Sequence, residues 1–336
     1  MRVSVTIPCR NEAKYIEGCI LSVLRSDYPP ELIRVVVCDG RSEDQTPNIV
    51  HRLAQIDNRV VLLLNEQQTT PFALNLGIRY SSDADVHIIL GAHAEIYPDY
   101  IRRCVERLRS DPSMGCVGGI LYNVFEDQAS EVISKAMSSP FGVGNAHFRT
   151  GTKSGYVDTV AFGAYKREVF ERVGYFDEEL IRNQDDEFNY RVTKAGFKIF
   201  LDPLIRASYF VRAEFGKLWR QYYQYGLWKV YVNKKHGTVT SVRQLVPLAF
   251  VLFTMSLPIL FIWPAWRIAW TALWLVYVVA ALVAAINAKA TLVQVRGVLL
   301  SFFFLHFSYG LGYLVGIFRF LIKGEKPGVK HSASSR

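Results

Sequence analysis

The sequence predicts an α/β fold with a mostly parallel, doubly wound sheet, followed by membrane helices. Two observations support this prediction. Up to about residue 120, short β-branched segments alternate with longer amphipathic segments, as in α/β proteins. Further along the 336-residue chain, three long segments contain no Asp, Glu, Lys or Arg. The chain is long enough to hold one such domain and an appended membrane module.

The alternation begins at the first strand and continues without a break. The strand-like segments are 3–7, 33–38, 60–64, 87–90 and 116–119, and the helix-like segments between them are 13–25, 46–54, 71–80 and 99–108. Because sheets of this class bind ligands at the carboxyl ends of their strands, functional residues are expected just after each strand. The stretch 129–158 is rich in Gly, Ser and Thr and predicts a long loop that closes over a substrate.

The segments without charged residues are long enough to cross a membrane. They cover 244–263, 268–288 and 298–318, each close to the roughly 20 residues that a helix needs to span hydrocarbon. The preceding segment combines basic and aromatic residues, which predicts an amphipathic helix in the headgroup layer. We therefore expect a globular domain at 1–205, an interfacial connector at 206–243, a membrane domain at 244–322 and a basic tail at 323–336.

The net charge of +9 arises from 39 basic and 30 acidic residues. Many basic residues precede the first apolar segment, which favours the membrane over nucleic acid as their partner and predicts that the globular domain faces the cytoplasm at an inner cell membrane. Three spans would place the basic tail outside, against the positive-inside tendency. Either one segment is a re-entrant hairpin broken at Pro258 or Pro264, or the weak bias of the tail is overruled.

The cysteines indicate neither a zinc site nor a disulfide framework. They are five in number and lack Cys-x-x-Cys spacing. Reduced thiols in a cytoplasmic domain are the simplest interpretation.

Carboxylates follow the first two predicted strands. After the first strand, 8–12 reads Pro-Cys-Arg-Asn-Glu, and after the second, 39–46 reads Asp-Gly-Arg-Ser-Glu-Asp-Gln-Thr. A carboxylate at a strand end can accept hydrogen bonds from a nucleobase or a ribose hydroxyl. Ser42 and Asp44 are also typical helix N-cap residues, so a purely structural role stays open for them.

At these residues the sequence resembles glycosyltransferase family 2. Members open with a strand, Pro-x-x-Asn-Glu, and a second strand that ends in Asp-Gly-Ser-x-Asp-x-Thr; the likeness covers about 2–205. It is strongest to membrane-anchored, succinoglycan-type glucosyltransferases. The resemblance implies a GT-A, Rossmann-like fold in which Glu12 and Asp39 hold the uridine part of a nucleotide sugar. It also places Pro8, Arg10 and Asp44 on the donor side.

The Asp-x-Asp metal motif of the family is altered in this chain. It should fall at 90–95, Leu-Gly-Ala-His-Ala-Glu, where Gly91 replaces the first Asp and His93 the second. His93 also occurs here in exopolysaccharide-type relatives, so the resemblance implies a donor-side residue and a metal ligand that acts together with the phosphates of the donor. Glu95 is a candidate to compensate for Gly91. Dependence on Mn²⁺ or Mg²⁺ stays open.

The segment 182–191, Arg-Asn-Gln-Asp-Asp-Glu-Phe-Asn-Tyr-Arg, is similar to the family pattern Glu-Asp-x-Glu-Leu-x-x-Arg. The resemblance implies that Asp185 is the general base, while Gln184 stands where Glu is usual. Inverting transfer needs one carboxylate to take the proton of the acceptor hydroxyl as that hydroxyl attacks the anomeric carbon. Asp186 and Glu187 have the alternative role of favourable charges in a first helical turn.

Residues 157–168 and 173–178 resemble the acceptor-side strand and loop of the family. The resemblance places Phe162, Gly163 and Asp186 on the acceptor side, where an aromatic ring and a glycine suit a flat sugar. Phe162 has the alternative role of an ordinary core residue.

Gln221 occupies the first position of the Gln-x-x-Arg-Trp motif of processive synthases. Gln224 and Tyr225 replace the Arg and the Trp, which argues against a processive, polymer-extruding enzyme. Gln221 remains a candidate acceptor-side residue.

We therefore expect an inverting transferase that moves one sugar, with UDP-glucose as the leading donor, to a lipid-linked oligosaccharide in exopolysaccharide or cell-surface glycan synthesis. Polyprenyl phosphate is an alternative acceptor. A non-catalytic scaffold within a complex of polysaccharide-synthesis proteins is a different class of function, suggested by Gly91. A small transporter is less favoured, because His306 is the only ionisable side chain in the apolar segments apart from tyrosines.

Overall fold

The computed structural model describes residues 1–144, 146–151, 153–211, 214–240 and 242–326, without the side chains of 260 and 261. Most of the predicted basic tail, including Lys330 and Arg336, lies outside the described residues. The chain forms two compact units. Unit 1 consists of Met1–Val124 and His147–Phe210, and unit 2 of Phe125–Ala146 and Val211–Arg336.

Unit 1 is the α/β part of the chain. Its strands are β1 (Val3–Cys9), β2 (Ile33–Asp39), β3 (Val60–Leu64), β4 (Val86–Ile89), β5 (Ala94–Ile96), β6 (Met114–Val124), β7 (Gly155–Tyr156), β8 (Ala161–Lys166) and β9 (Lys198–Phe210). Its helices are α1 (Ile16–Leu24), α2 (Thr46–Ile56), α3 (Thr70–Tyr80), α4 (Tyr100–Ser110), α7 (His147–Thr150), α8 (Arg167–Val173) and α9 (Gln184–Lys194).

Across the described residues, these strands form one sheet in the order β3-β2-β1-β4-β8-β6-β9-β5, with β7 paired to β9. β1 pairs in parallel with β2 and β4, and β2 with β3. β8 runs antiparallel between β4 and β6, so the sheet is mixed, and the predicted parallel character holds for the half that begins the chain. This architecture confirms the predicted α/β, Rossmann-like fold class.

Both faces of the sheet are covered. α1 and α4 pack on one face, in a core that includes Val5 and Ile7 of β1. α3, α8 and α9 contribute to a second core, which includes Phe170 and Phe188. α3 approaches β1 so closely that a Cβ on Gly77 would lie 2.4 Å from Cγ2 of Thr6. Glycine at this position therefore sets the helix-to-sheet distance.

A buried histidine lies in the centre of unit 1. His87 in β4 pairs with Ser4 of β1 and Tyr165 of β8, and it is 1% exposed. Its Nδ1 has no hydrogen-bond partner among the described residues. Burial, assisted by the nearby positive charge of Arg167, lowers the pKa of His87 to about 4. The imidazole is therefore neutral at physiological pH.

Because the folded pKa of His87 lies below its ordinary value of 6.5, the unfolded chain binds more protons between these values. We expect unit 1 to lose about 3 kcal/mol of stability through this residue as the pH falls from 6.5 to 4. All five cysteines are buried in unit 1, so a disulfide-exchange reagent that reacts at acidic pH reports its thermal unfolding. The variant His87→Gln should remove this part of the pH dependence; a slope of Tm against pH equal to that of wild type would contradict the prediction.

Unit 2 is helical in its described part. Its helices are α5 (Gln128–Met137), α6 (Pro140–Val143), α10 (Phe215–His236), α11 (Leu245–Met255), α12 (Pro264–Asn287) and α13 (Leu292–Gly316). The prediction of a loop over 129–158 is wrong for the residues of α5, which are helical. Asp127 caps this helix by accepting a 2.7 Å hydrogen bond from the Ser130 N–H, and Val132 packs against Gly297 of α13. Tertiary packing stabilises a helix that composition alone did not indicate.

Among the described residues, three helical stretches are long and apolar enough to cross a membrane: Val242–Ile259, Pro264–Asn287 and Leu292–Ile322. They coincide with the three predicted segments. Pro258 lies between α11 and α12, and Pro264 is the first residue of α12. A proline is tolerated there, because the first residues of a helix have no intrahelical partner for their N–H groups. A re-entrant hairpin at this break stays a prediction.

His306 has a structural environment within unit 2. Its Nε2 lies 2.8 Å from the carbonyl oxygen of Phe141 in α6, and its Nδ1 lies 3.0 Å from the hydroxyl of Tyr277 in α12. Because a carbonyl only accepts, Nε2 donates and Nδ1 accepts from the tyrosine. The imidazole thus joins α13 to α6 and α12, which favours a structural role over a transport pathway.

α10 and α13 pack with their backbones in close contact. A Cβ on Gly226 of α10 would lie 1.9 Å from the carbonyl oxygen of Tyr309, and a Cβ on Gly312 of α13 would lie 2.0 Å from that of Tyr223. Small residues permit this approach in membrane helix pairs. The interfacial position predicted for α10 stays a prediction; within unit 2, one face of the helix is covered by α13.

Gly226→Ala and Gly216→Ala form a matched pair, since both residues lie in α10 and Gly216 has nothing within 4 Å of an added Cβ. We expect Gly226→Ala to destabilise unit 2 by about 1–3 kcal/mol through overpacking. Gly216→Ala should be neutral or slightly stabilising. All six tryptophans lie in unit 2, so tryptophan fluorescence during heating in detergent isolates its unfolding. Equal Tm values for the two variants would show that the close approach is not needed.

Candidate functional site

The loops that follow β1 and β2 are joined by hydrogen bonds. The Asn11 N–H donates to Ser42 Oγ (2.8 Å), and the Glu43 N–H donates to Asn11 Oδ1 (2.8 Å). The Glu12 N–H donates to Thr46 Oγ1, also at 2.8 Å. Asn11 has a φ of 55°, a left-handed conformation that Asn tolerates better than most residues. The two motifs recognised in the sequence therefore form one structural element.

Asp39 lies at the end of β2 and is only 4% exposed. Its Oδ2 accepts a 2.9 Å hydrogen bond from the Ser42 N–H, and its Oδ1 accepts from the Ser42 hydroxyl and, at 3.6 Å, from the Cys9 thiol. Gly40 donates its N–H to the carbonyl of Cys9 (2.8 Å). These donors fix the orientation of the carboxylate at the carboxyl edge of the sheet.

Asp44 joins the same two loops. Its carboxylate accepts from the N–H groups of Thr46 (2.9 Å) and Ala13 (3.1 Å). Burial acts to raise the pKa of Asp44, but these hydrogen bonds outweigh it and lower that pKa. Asp44 thus holds the loop after β1 and the start of α2 together. Pro8 lies within β1, and Arg10 follows the strand directly and is half-buried.

His93 lies next to Glu12. It precedes β5, and its main-chain carbonyl accepts the Phe210 N–H of β9 (3.1 Å). Its Nδ1 is 3.7 Å from Oε1 of the buried Glu12 and makes no hydrogen bond within the described part of the chain. These two atoms could share one divalent cation, with diphosphate oxygens and water as the other ligands. No group of three or more His, Cys, Asp or Glu among the described residues has metal-binding geometry.

Phe162 occupies the space beside Gly91. A Cβ on Gly91 would lie 3.1 Å from Cε1 of the phenylalanine ring, so an aspartate there would require the ring to move. Phe162 has a φ of 51°, and its carbonyl accepts a 2.6 Å hydrogen bond from the Tyr100 hydroxyl. The loss of the first motif carboxylate is therefore matched by an aromatic residue in an unusual backbone conformation. Glu95 places its carboxylate against Gly18 of α1.

The three acids at the start of α9 have different environments. Asp185 is exposed, Asp186 is half-buried and Glu187 is 2% exposed. Glu187 pairs with Arg191 through two bonds, Nε to Oε1 at 2.7 Å and Nη2 to Oε2 at 2.9 Å. Glu187 therefore has the structural role that its position in the first turn indicated, whereas Asp185 is accessible.

Arg191 and Asn189 fix α9 to the rest of unit 1. Arg191 donates to the carbonyls of Val173 and Tyr175, each at 2.8 Å. Asn189 accepts from the Tyr165 hydroxyl of β8 (2.9 Å) and donates to Thr159 Oγ1 (2.8 Å). The first turn of α9, which carries Asp185, thus lies beside the strand that carries Phe162.

The remaining predicted acceptor-side residues, Gly163 and Gln221, belong to different units of the chain. Gly163 is buried, and a Cβ there would lie 2.8 Å from Cys116 Sγ and 2.9 Å from the Tyr165 ring, so close packing explains this glycine. Gln221 lies on α10 in unit 2, where its side-chain N–H₂ donates to the Tyr225 hydroxyl at 2.8 Å.

The sequence did not indicate Tyr209, which contacts His93, or Arg149, which contacts Tyr209. Tyr209 of β9 meets His93 edge to face, with ring centroids 5.0 Å apart, and the guanidinium of Arg149 in α7 lies 5.2 Å from the centroid of the same tyrosine ring. Tyr209 follows the rule that carboxyl ends of parallel strands carry functional residues, because β9 is parallel to β6. No local signal in the sequence distinguishes Arg149.

Comparisons with known proteins identify the family of the chain and several of its relatives. The family description "Glycosyl transferase family 2" matches residues 4–174. The chain is 31% identical to the succinoglycan biosynthesis protein ExoA of Rhizobium meliloti (strain 1021), over 73% of this chain and 74% of that protein. It is 30% identical to a dolichyl N-acetyl-alpha-D-glucosaminyl phosphate 3-beta-D-2,3-diacetamido-2,3-dideoxy-beta-D-glucuronosyltransferase of Methanococcus voltae, over 76% of this chain and 80% of that protein.

Solved structures support the fold. The mannosyltransferase PcManGT from Pyrobaculum calidifontis, in complex with GDP-Man and Mn²⁺, aligns with a TM-score of 0.61 at 20% identity, covering 94% of this chain and 86% of that one. S. aureus TarS 1-349 in complex with UDP aligns with a TM-score of 0.50 at 17% identity, over 69% and 65% of the two chains. The chain belongs to glycosyl transferase family 2 and is a glycosyltransferase of glycan synthesis with a GT-A fold and apolar helices that could span a membrane.

Proposed function

We propose that this glycosyltransferase moves one sugar from a nucleotide-diphosphate sugar, UDP-glucose first among candidates, to a lipid-linked oligosaccharide. We further propose that it is a multi-pass protein of the inner cell membrane with its catalytic domain in the cytoplasm. One observation carries the proposal: joined loops orient Asp39 at the carboxyl edge of the sheet. Two relatives support it, since one is named for succinoglycan biosynthesis and the other for transfer to a dolichyl-phosphate-linked sugar.

Asp39 and Glu12 suit the nucleoside part of the donor. Ser42 and Cys9 satisfy only part of the acceptor capacity of the Asp39 carboxylate, which leaves lone pairs for an imide or hydroxyl donor. Because the carboxylate is buried and fixed, a hydrogen bond to it would have a low reorganisation cost. One structural neighbour is a complex with UDP and the other a complex with GDP-Man, so the binding test decides which base this protein accepts.

His93 and Glu12 are the residues that would hold a divalent cation. Such a cation supplies positive charge for the departing diphosphate. The geometry fits in part. Glu12 Oε1 and His93 Nδ1 lie 3.7 Å apart and would be two protein ligands, whereas Gly91 has no side chain to provide a third. We therefore propose that the donor itself completes the site, so cation and donor should bind cooperatively.

Asp185 is the proposed general base. It is exposed in the first turn of α9, where the helix N-terminus stabilises negative charge. Its carboxylate would accept the proton of the acceptor hydroxyl while that oxygen bonds to the anomeric carbon and the nucleoside diphosphate leaves from the opposite side. Attack opposite the leaving group inverts the configuration. Arg191 and Asn189 would serve this step by fixing α9.

In unit 1 this proposal keeps Phe162 and Asp186 as acceptor-side residues, with Gly163 as the closely packed residue that follows Phe162. Gln221 of unit 2 stays a separate acceptor-side candidate. A membrane-held acceptor gives a reason for the apolar helices, because a tethered enzyme meets a lipid-linked substrate in two dimensions. Polyprenyl phosphate is the nearest alternative acceptor. The scaffold alternative is less favoured, because the described residues preserve both an oriented Asp39 and an accessible Asp185.

Asp39→Ala should weaken UDP binding by about 10- to 100-fold, as expected for loss of a hydrogen bond to a charged group. The measurement is calorimetry in detergent with Mn²⁺, with Mg²⁺ and with chelator. Glu43→Gln is the matched control, since Glu43 is exposed in the same loop. Asp39→Asn preserves an acceptor for Ser42 and separates loss of charge from loss of loop structure. If wild type binds no nucleoside diphosphate under any of these conditions, the donor proposal fails.

Asp185→Asn should lower kcat by about 10²- to 10⁴-fold and leave donor affinity unchanged, because a general base acts on the acceptor. The assay follows transfer of labelled glucose from UDP-glucose into a lipid-extractable product. Glu179→Gln, an exposed residue in the loop before α9, provides the control. A kcat of Asp185→Asn within a few-fold of wild type would assign the base to another residue.

A further inference from the structure

Arg149 contacts Tyr209, whose ring also contacts His93 of the proposed metal and donor site. It lies in α7, and its side chain is half-buried. The neighbouring Phe148 packs against both hydrophobic cores of unit 1, which anchors this short helix. Arg149 therefore occupies a defined position although no sequence motif indicates it.

The Tyr209 ring links this guanidinium to His93. Arg149 Cζ lies 5.2 Å from the ring centroid, and the imidazole of His93 meets the same ring at 5.0 Å. Glu12 lies beside His93, with 3.7 Å between Glu12 Oε1 and His93 Nδ1. Arg149 and the Glu12–His93 pair thus lie around one aromatic ring at the edge of the site.

The charge of Arg149 is not neutralised within the described part of the chain. Nη1 donates to Asn123 Oδ1 at a long 3.3 Å, and its other contacts are the faces of Phe148 and Tyr209. No described Asp or Glu forms an ion pair with it. A guanidinium has five N–H donors in a planar fork that matches two oxygens of a phosphate group. Most of these donors remain available.

The altered metal motif suggests a role for the guanidinium of Arg149. Gly91 removes one carboxylate, and the ring of Phe162 lies where that side chain would extend. A metal held by fewer carboxylates contributes less binding energy, while the departing diphosphate still requires positive charge. We propose that Arg149 binds the diphosphate of the donor and supplies part of the charge that the complete motif would provide through a metal. This inference rests on the proposed nucleotide-diphosphate-sugar donor.

Binding of UDP and of uridine should be compared in wild type and in Arg149→Ala. We expect Arg149→Ala to weaken UDP about 10- to 100-fold and to change uridine affinity less than twofold, because only UDP carries the diphosphate. Arg149→Lys should fall between wild type and Arg149→Ala, since it retains the charge without the fork. The matched control is Arg172→Ala. Arg172 is exposed on α8, and its guanidinium also lies over an aromatic ring, 5.3 Å from the centroid of Phe197.

Unchanged UDP affinity in Arg149→Ala, or an equal loss for uridine and UDP, would overturn the inference and leave the proposed function intact. Absence of nucleoside diphosphate binding to wild type would overturn both. Thermal unfolding followed through the buried cysteines checks the fold of unit 1. If Arg149→Ala is unstable, Arg149→Gln retains a hydrogen bond to Asn123 and provides the same comparison.

Discussion

The hydrogen bonds between the loops after β1 and β2 are the interaction on which the candidate site depends. Asn11 and Ser42 join the loops, and Ser42 also orients the Asp39 carboxylate. The Glu12 N–H is held by Thr46 at the start of α2, so both donor-side carboxylates derive their positions from one network. A buried carboxylate without these donors would be costly, and a flexible one would bind a nucleoside weakly.

Charge is distributed in an unusual way at this edge of the sheet. Phe162 fills the space beside Gly91, and the neighbouring Tyr209 contacts both the imidazole of His93 and the guanidinium of Arg149. Carboxylate is the preferred ligand of Mg²⁺ and Mn²⁺, so its replacement shifts the demand for positive charge toward the protein. Within the described part of unit 1, Arg149 is the cation proposed for that purpose, because it contacts the tyrosine that also contacts His93.

Unit 2 is built on a different principle. Its apolar helices could span a membrane, where lipid tails are as apolar as the helices. In such a medium, close backbone packing at Gly226 and Gly312 would replace hydrophobic burial as the source of helix association. α5 and α6 contribute to this unit although they arise between strands of the sheet. Loop-like composition at 129–158 concealed this, because the packing of Val132 on α13 is visible only in three dimensions. The cap by Asp127 is a local signal, but composition outweighed it in the prediction.

The sequence by itself determined the α/β class, the three apolar segments and the family, because alternation, uncharged length and motif spacing are local properties. It placed Asp39, Glu12 and Asp185 at strand and helix ends for the same reason. Only the tertiary structure distinguished the accessible Asp185 from the ion-paired Glu187, and only it brought Arg149 to the edge that carries His93. These outcomes depend on contacts between residues far apart in the chain, which no local pattern records.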